Sequence, residues 1–141
     1  MKITADNFFT TSDGIHIYFE DRGSGLPIVM VPGFLCTTKF FEKNAEVLSK
    51  EFRVITMDPR GQGNSSKTCQ GNTIRRNAQD IKELIDHLGL EHVVLLGSGA
   101  LLRGTRQTFA RQDGDRISRG RRSFACSSKR YGDCVEEYRQ V

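Results

Sequence analysis

The sequence predicts an α/β fold in which a β-hairpin precedes a strand–helix–strand–helix–strand unit of a mostly parallel sheet. Two observations support this. Three short runs, at 28–31, 52–58 and 92–97, have the apolar character and length of strands buried on both faces. Between them lie two segments whose apolar residues recur at helical spacing. Buried strands that alternate with amphipathic helices imply right-handed crossovers, with helices on both faces of the sheet.

The hairpin is predicted from residues 8–22. Asp13 and Gly14 form a dipeptide that tight hairpin turns favour. From Ile15 to Phe19, apolar residues alternate with more polar ones, so that one face of the second strand is apolar. We therefore expect a strand on each side of this turn.

Two amphipathic helices are predicted between the buried strands. The first covers about 39–50 and is capped by Thr37 or Thr38. Its inward-facing residues are expected to be Phe40, Phe41, Ala45 and Leu48. The second begins at Asn72 or Thr73 and ends at Gly89, a common stop residue. Its residues at helical spacing are Ile74, Ala78, Ile81, Leu84, Ile85 and Leu88.

The composition divides the chain near residue 100. Residues 1–100 carry 11 Lys+Arg and 12 Asp+Glu, a net charge of −1, whereas 101–141 carry 10 and 5, a net charge of +5. Ile, Leu, Val and Phe make up 29 of the first 100 residues but 7 of the last 41. Few core-forming residues at high charge indicate disorder. We expect a domain over 1–100 and a basic, poorly ordered, Arg-rich tail over 101–141, partly helix-like at 105–119 and otherwise irregular.

Several classes of protein are excluded or disfavoured by composition. No apolar run approaches the roughly 18 residues that span a membrane, and the N-terminus lacks the basic start and apolar stretch of a signal peptide. A cytoplasmic protein is the default expectation. The cysteines are too scattered for a disulfide scaffold or a metal site: Cys36, Cys69, Cys126 and Cys134. No dinucleotide-binding glycine motif follows a strand. We therefore expect neither a metal nor a cofactor.

Three loops follow the predicted buried strands: PGFLCTT at 32–38, DPRGQGNSS at 58–66 and GSGAL at 97–101. In parallel sheets, ligands meet the loops at the carboxyl ends of strands. In this order, the loops resemble those of the α/β-hydrolase superfamily, in its esterase, epoxide-hydrolase and haloperoxidase branch. The resemblance spans about 8–97, so that 1–100 would be the N-terminal part of an α/β-hydrolase fold. It implies a small ester, epoxide, thioester or halide substrate.

The first loop looks like the family's oxyanion loop. Pro32 stands where the family commonly has His, while the following glycine is kept. The resemblance makes Gly33 and Phe34 the oxyanion-binding residues, since Gly33 lets the backbone turn sharply and the amide of Phe34 can point at an oxyanion. The alternative is that Pro32 and Gly33 form only a strand-ending turn.

The second loop matches the family's Asp-x-Arg-Gly-x-Gly-x-Ser pattern. The matching residues, structural in the family, are Asp58, Arg60, Gly61, Gly63 and Ser65. Asp58 and Arg60 can hydrogen-bond loop amides and carbonyls, or pair with each other. A catalytic Asp58 is the alternative. Phosphate binding by this loop is disfavoured because it lacks Gly-Lys-Ser/Thr and a helix directly after it.

The family pattern breaks after Gly97. The nucleophile should stand at the centre of Gly-x-Ser-x-Gly, at the position of Gly99. Ser98, the candidate nucleophile, is one position early, and a one-residue slip points the side chain the opposite way. The family's acid and histidine come later in the chain, but all three histidines precede Ser98: His16, His87 and His92. We therefore expect a truncated or frame-disturbed hydrolase with weak or no activity.

Two other functions remain open from the sequence. A non-catalytic remnant could bind a small molecule or a partner through the half-built sheet, and its exposed edge after the third buried strand favours self-association. The Arg-rich tail could instead bind nucleic acid or another anionic surface. That tail has few aromatic residues and no nucleic-acid-binding motif, so a solvated basic tail is the simpler interpretation. The expected partner is a small-molecule substrate rather than nucleic acid or a membrane.

Overall fold

The computed structural model describes residues 5–97, 123–125 and 135–138. The strands of these residues are β1 (Phe8–Thr10), β2 (His16–Arg22), β3 (Pro27–Val31), β4 (Arg53–Met57), β5 (Val94–Gly97), β6 (Ser123–Ala125) and β7 (Val135–Tyr138). The α-helices are α1 (Glu42–Leu48) and α2 (Ile74–His87), and short 3-10 helices cover Ala5–Asn7 and Thr38–Phe41. Neither described α-helix is long and apolar enough to cross a membrane.

The strands form one mixed sheet in the order β1-β2-β4-β3-β5-β7-β6. At its centre, β3 runs parallel to β4 and β5, with Val29 opposite both Ile55 and Leu95. The hairpin strands β1 and β2 are antiparallel, and β2 is antiparallel to β4. This confirms the predicted hairpin and strand–helix–strand–helix–strand unit. Because β3, β4 and β5 point the same way, the loops that follow them leave the same edge of the sheet.

Each face of the sheet has its own apolar core, because side chains alternate between faces along a strand. On one face, residues of β1 to β4 pack with α2: Phe9, Ile17, Phe19, Val29, Val31, Ile55, Met57, Ile81 and Leu84. On the other, residues of β3 to β5 pack with α1 and the turn before it: Ile28, Met30, Phe41, Ala45, Val54 and Val94. The predicted cover of helices on both faces is confirmed.

The first predicted helix differs from its prediction in two ways. The segment begins as the 3-10 turn Thr38–Phe41, and the side chain of Thr37 makes no capping hydrogen bond. Phe41 and Ala45 are buried as expected, but Phe40 is 44% exposed instead of facing inward. A 3-10 turn has about three residues per turn, which rotates Phe40 away from the face of its neighbour.

The second helix matches its prediction at both ends. Thr73 Oγ1 accepts a hydrogen bond from the backbone N–H of Arg76, which is the N-cap arrangement. Gly89 has φ +59°, and its N–H donates to the carbonyl of Asp86. This left-handed residue ends the helix where the sequence places the stop. Ile74 is 49% exposed, contrary to expectation, because it occupies the first helical position.

The edge of β5, which the sequence leaves open, is paired in the structure. Strand β7 lies antiparallel to β5, with Tyr138 opposite Leu95, and β6 lies antiparallel to β7. The two strands fall within the tail, where no strand was predicted. The predicted helix-like segment 105–119 lies outside the described residues. The predicted strand 92–97 is shorter in the structure. Strand β5 begins at Val94 rather than at His92, which has a left-handed backbone with φ +52°.

Candidate active site

The loop after β3, residues 32–38, is called the β3 loop here. Pro32 and Gly33 are buried, whereas the side chains of Phe34 and Leu35 are 73% and 78% exposed. The positive φ of this loop, +64°, belongs to Leu35 and not to Gly33. The sharp turn predicted at Gly33 is present, and its left-handed residue is Leu35, which the sequence does not single out. The turn closes with a hydrogen bond from Cys36 N–H to the Gly33 carbonyl, 3.1 Å.

The backbone amide of Phe34 stands at the carboxyl end of β3. No group among the described residues accepts a hydrogen bond from it. Backbone N–H groups are strong donors that are almost always paired when buried. Since Phe34 is exposed, its N–H can donate to water or to an oxygen of a bound ligand.

The loop after β4, residues 58–66, is called the β4 loop here. Asp58 begins it and is 1% exposed. Its Oδ1 accepts the backbone N–H of Thr38 and its Oδ2 accepts that of Asn64, each at 2.7 Å. Of the two arrangements open from the sequence, Asp58 binds loop amides and does not pair with Arg60. Its carboxylate joins the β3 loop to the β4 loop.

Ser65 attaches the β4 loop to the hairpin. Its hydroxyl donates to the carbonyl of Asp58, 2.6 Å, and accepts the backbone N–H of Tyr18, 2.9 Å. The N–H of Asp58 donates in turn to the carbonyl of Tyr18, 2.9 Å. Because Ser65 is 2% exposed, these bonds are shielded from water, and the β4 loop has one fixed position against β2.

Gly63 is required where it stands. It has φ +50°, and a Cβ built on it would overlap the carboxylate of Asp58. Gly61 also has a positive φ, +76°, but a Cβ there would meet its neighbours only at 3.5 Å. The two positions therefore require glycine for different reasons. Gly61 allows the positive φ of the turn, and Gly63 does so while also leaving space for the Asp58 carboxylate.

Gly63→Ala is expected to destabilise the fold by about 2 kcal/mol or more, since a strained left-handed backbone adds to the overlap with Asp58. Gly89→Ala is the matched control, because Gly89 has a similar φ but nothing lies within 4 Å of its built Cβ. It should cost about 1 kcal/mol. Urea unfolding of both variants measures the difference, and equal losses would contradict the role assigned to Asp58 at this position.

Arg60 and the buried Asp80 form the centre of an ion cluster, the Arg60 cluster, which consists of Asp13, Arg60, Arg76, Asp80 and Glu83. The side chain of Arg60 is 1% exposed and binds both oxygens of Asp80 at 2.7 Å. It also binds both oxygens of Asp13, at 2.9 and 3.1 Å. Such bidentate pairs are the strong form of this interaction. Arg60 thus ties the β4 loop to the hairpin turn and to α2.

Arg76 and Glu83 make a second connection between the hairpin turn and α2. Arg76 binds Asp80 and Glu83, each at 2.9 Å. Glu83 accepts the N–H and the hydroxyl of Ser12, both at 2.7 Å. The hairpin turn is thereby held to α2 through both Arg60 and Glu83.

Two carboxylates of the cluster are stabilised in their charged form. The hydrogen bond from Arg60 holds the pKa of Asp13 well below its usual range. Burial raises the pKa of Glu83, but hydrogen bonds from Ser12 and Arg76 outweigh it and leave that pKa lowered. A carboxyl with a lowered pKa in the folded state contributes stability above its unfolded pKa, and that stability is lost as the pH falls.

Acid should therefore weaken the fold progressively below about pH 4, the ordinary pKa of a carboxyl group. Asp13→Asn should flatten this acid limb, because the substitution removes one group that takes up a proton on unfolding. The check is the free energy of unfolding measured from pH 7 to pH 3 in the chain and in the variant. Parallel curves for the two proteins would show that Asp13 does not contribute.

The three histidines do not converge on the β3 loop. His16 is exposed, with Nδ1 3.0 Å from Thr10 Oγ1. His87 ends α2 and stacks on Phe9, with ring centroids 5.6 Å apart. His92 precedes β5, at the amino edge of the parallel strands and thus opposite the β3 loop. Ser98 and Gly99 lie outside the described residues.

A protein-family match covers the segment that contains both loops. The sequence model of the alpha/beta hydrolase fold family matches residues 27–98, which include β3, β4, β5, both helices and both loops. The chain belongs to the alpha/beta hydrolase family. In this alpha/beta hydrolase, the Asp-x-Arg-Gly-x-Gly-x-Ser sequence at 58–65 lies within the matched segment.

Relatives of this alpha/beta hydrolase carry several activities in their names. It is 35% identical over 91 residues to a non-heme haloperoxidase of Rhodococcus erythropolis, covering 64% of this chain and 33% of that protein. It is 33% identical over 85 residues to a soluble epoxide hydrolase of Corynebacterium sp., covering 60% and 30%. An esterase from Exiguobacterium antarcticum superposes with a TM-score of 0.61 at 39% identity, covering 63% and 34%. The chain spans about a third of the length of these relatives.

Sequence reasoning misses two parts of the site. Thr38 is predicted only as a helix cap, yet its backbone N–H is the donor to Asp58. Asp80 is not singled out at all, although it is fully buried and binds Arg60. One signal was available for Asp80: it lies between Ala78 and Ile81 on the inward side of α2, where an ionised carboxylate requires a cation.

Proposed function

We propose that this chain supplies the strand framework and an oxyanion-binding amide of a hydrolase for small esters. Epoxides, thioesters and halides are the other substrate classes that the family resemblance implies. The observation that carries the proposal is the Phe34 amide, without an acceptor among the described residues, at the carboxyl end of the central strand β3. The esterase at 39% identity, which aligns with 63% of the chain, supports ester as the class to test first.

In ester hydrolysis, a nucleophile attacks the carbonyl carbon and the C=O electron pair moves onto the oxygen. The Phe34 N–H would donate to this oxyanion, whose negative charge develops in the transition state and is full in the tetrahedral intermediate. When the electron pair returns, the C–O bond to the leaving group breaks, the leaving oxygen takes the proton given up by the nucleophile, and the acyl-enzyme that remains is hydrolysed by water. The candidate nucleophile is Ser98, and Gly33 supports the turn that presents the donor.

We further propose that the 141-residue chain by itself has little or no turnover. A serine hydroxyl needs an adjacent base to act as a nucleophile at neutral pH, but His92 lies at the edge opposite the β3 loop and His87 stacks on Phe9. Purified chain and Ser98→Ala should therefore hydrolyse p-nitrophenyl acetate at the same rate. A rate that exceeds that of Ser98→Ala and saturates with substrate would contradict this part of the proposal.

The hydrolase framework itself is tested with a chimera, in which residues 1–97 are joined to the matching remainder of the Exiguobacterium antarcticum esterase. If the β3 loop and β4 loop are functional, the chimera should hydrolyse p-nitrophenyl acetate with saturation kinetics. The control is the same chimera with the esterase's own nucleophilic serine replaced by alanine. A folded chimera no faster than this control would contradict the proposed function.

A further inference from the structure

We propose that Asp58 is a positioning residue that fixes the β3 loop, and with it the Phe34 amide, through the hydrogen bond it accepts from Thr38. The inference rests on the proposed function of Phe34 as the oxyanion donor. It assigns Asp58 neither contact with substrate nor a proton transfer, because each carboxylate oxygen already holds a backbone N–H.

The β3 loop has few other attachments. Its remaining backbone hydrogen bonds are local: Cys36 N–H to the Gly33 carbonyl and Phe40 N–H to the Thr37 carbonyl. Within the described part of the chain, the Thr38–Asp58 bond is the hydrogen bond that joins this loop to another element. The side chains of Phe34 and Leu35 are mostly exposed, so packing holds the loop before Phe34, at the buried Pro32 and Gly33, but not at Phe34 and Leu35 themselves.

The Asp58 carboxylate, which accepts the Thr38 N–H, is itself held in one position. Both Asp58 and Thr38 are buried, at 1% and 5% exposure, and hydrogen bonds to an ionised acceptor are about twice as strong as neutral ones. The second carboxylate oxygen is held by Asn64, so the carboxylate cannot rotate without losing a bond. Gly63 leaves the space that the carboxylate occupies, and the N–H of Asp58 holds its own backbone against β2 by donating to the Tyr18 carbonyl.

A small displacement of the donor matters for catalysis. A misplacement of about 1 Å can lower an enzymatic rate by about a hundredfold. Four residues separate the Phe34 amide from its anchor at Thr38, and Leu35 between them holds a left-handed backbone. Loss of the anchor would therefore release the amide of Phe34 while leaving β3 and its neighbours in place.

The test is the backbone ¹⁵N order parameter of Phe34 and Leu35 in the full 141-residue chain. We expect a value of about 0.85 in the chain and below about 0.6 in Asp58→Ala. Asp58→Asn should fall between them, because it keeps one acceptor oxygen. Ser65→Ala removes the hydroxyl bonds of the β4 loop but keeps the bond from the Asp58 N–H to the Tyr18 carbonyl, and should leave both amides ordered. Order parameters of α2 amides in each variant report whether the fold is intact.

Thr38→Pro removes the donor rather than the acceptor, and covers the case in which Asp58 variants unfold. Thr37 is extended, with φ −123° and ψ −180°, as the residue before proline requires. Thr38 begins the 3-10 turn, the position where helices best tolerate proline. It should release Phe34 and Leu35 as Asp58→Ala does. Unchanged order parameters in any folded Asp58 or Thr38 variant, or an equal loss in Ser65→Ala, would overturn the inference.

A kinetic comparison in the chimera separates this inference from the proposed function. There, Asp58→Asn should lower kcat with little change in KM, because the amide acts on the transition state. Ser65→Ala should not produce this split. If the parent chimera has no turnover, the proposed function fails, while the order parameters still decide whether Asp58 holds the loop.

Discussion

Arg60→Leu is expected to lower the free energy of unfolding by about 3–5 kcal/mol, the range for breaking one partner of a buried ion pair. Asp80 is fully buried. Without Arg60, its Oδ2 loses its hydrogen-bond donor, and Arg76 remains only on Oδ1. Asp13 at the hairpin turn loses its main partner at the same time. Urea unfolding followed by circular dichroism measures the loss.

The matched control is Arg53→Leu. Arg53 also makes a multiple contact with one carboxylate, that of Asp21, but both side chains are about one-third exposed. An exposed pair of this kind contributes about 1 kcal/mol or less. Equal losses in the two variants would contradict the view that burial of the Arg60 cluster sets its importance.

The double variant Arg60→Leu/Asp80→Leu refines the result. Because it removes both buried charges, it should recover much of the stability lost in Arg60→Leu. A double variant as unstable as the single one would mean that the contacts of Arg60 with Asp13, rather than the stranded charge of Asp80, account for the loss.

The elements of this fold follow from local patterns in the sequence. Alternation from Ile15 to Phe19, and helical spacing from Ala78 to Leu84, place the hairpin and α2 in the structure as predicted. Thr73 and Gly89 mark the ends of that helix because capping depends on neighbouring backbone groups only. Such signals need no knowledge of the rest of the chain.

The Arg60 cluster could not be predicted in the same way. Asp13 and Arg60 are 47 residues apart, and Arg60 and Asp80 are 20 apart. Their contact depends on how the hairpin turn and α2 meet the β4 loop, which no local pattern encodes. The motif indicates that Arg60 is structural without indicating its partners. The edge of β5 is a similar case, because its pairing with β7 joins distant segments.

The β3 loop shows the limit of motif matching within a short segment. Gly33 matches the family position, yet the left-handed residue is Leu35. The predicted helix after the loop begins instead with a 3-10 turn, whose first N–H donates to Asp58. The acceptor, Asp58, is the first residue of the β4 loop and lies 20 positions along the chain from Thr38. The sequence therefore locates the candidate site, and the contact between the two loops determines its geometry.

The second large effect concerns Phe34. In the chimera, Phe34→Pro removes the amide N–H and should lower kcat for p-nitrophenyl acetate by about 10²–10³, the usual effect of losing one oxyanion donor. KM should change little, since the missing hydrogen bond is strongest in the transition state. The left-handed backbone of this loop is at Leu35, so proline at position 34 does not have to adopt a positive φ.

Phe34→Ala is the matched control, because it removes the exposed aromatic ring but keeps the N–H. The role of the Phe34 amide is tested by comparing kcat of these two chimeras with kcat of the parent chimera. We expect kcat to fall by about 10²–10³ in Phe34→Pro and to stay close to that of the parent in Phe34→Ala. A folded Phe34→Pro chimera with parental kcat, or equal losses in both variants, would contradict the assignment of the Phe34 amide as the oxyanion donor.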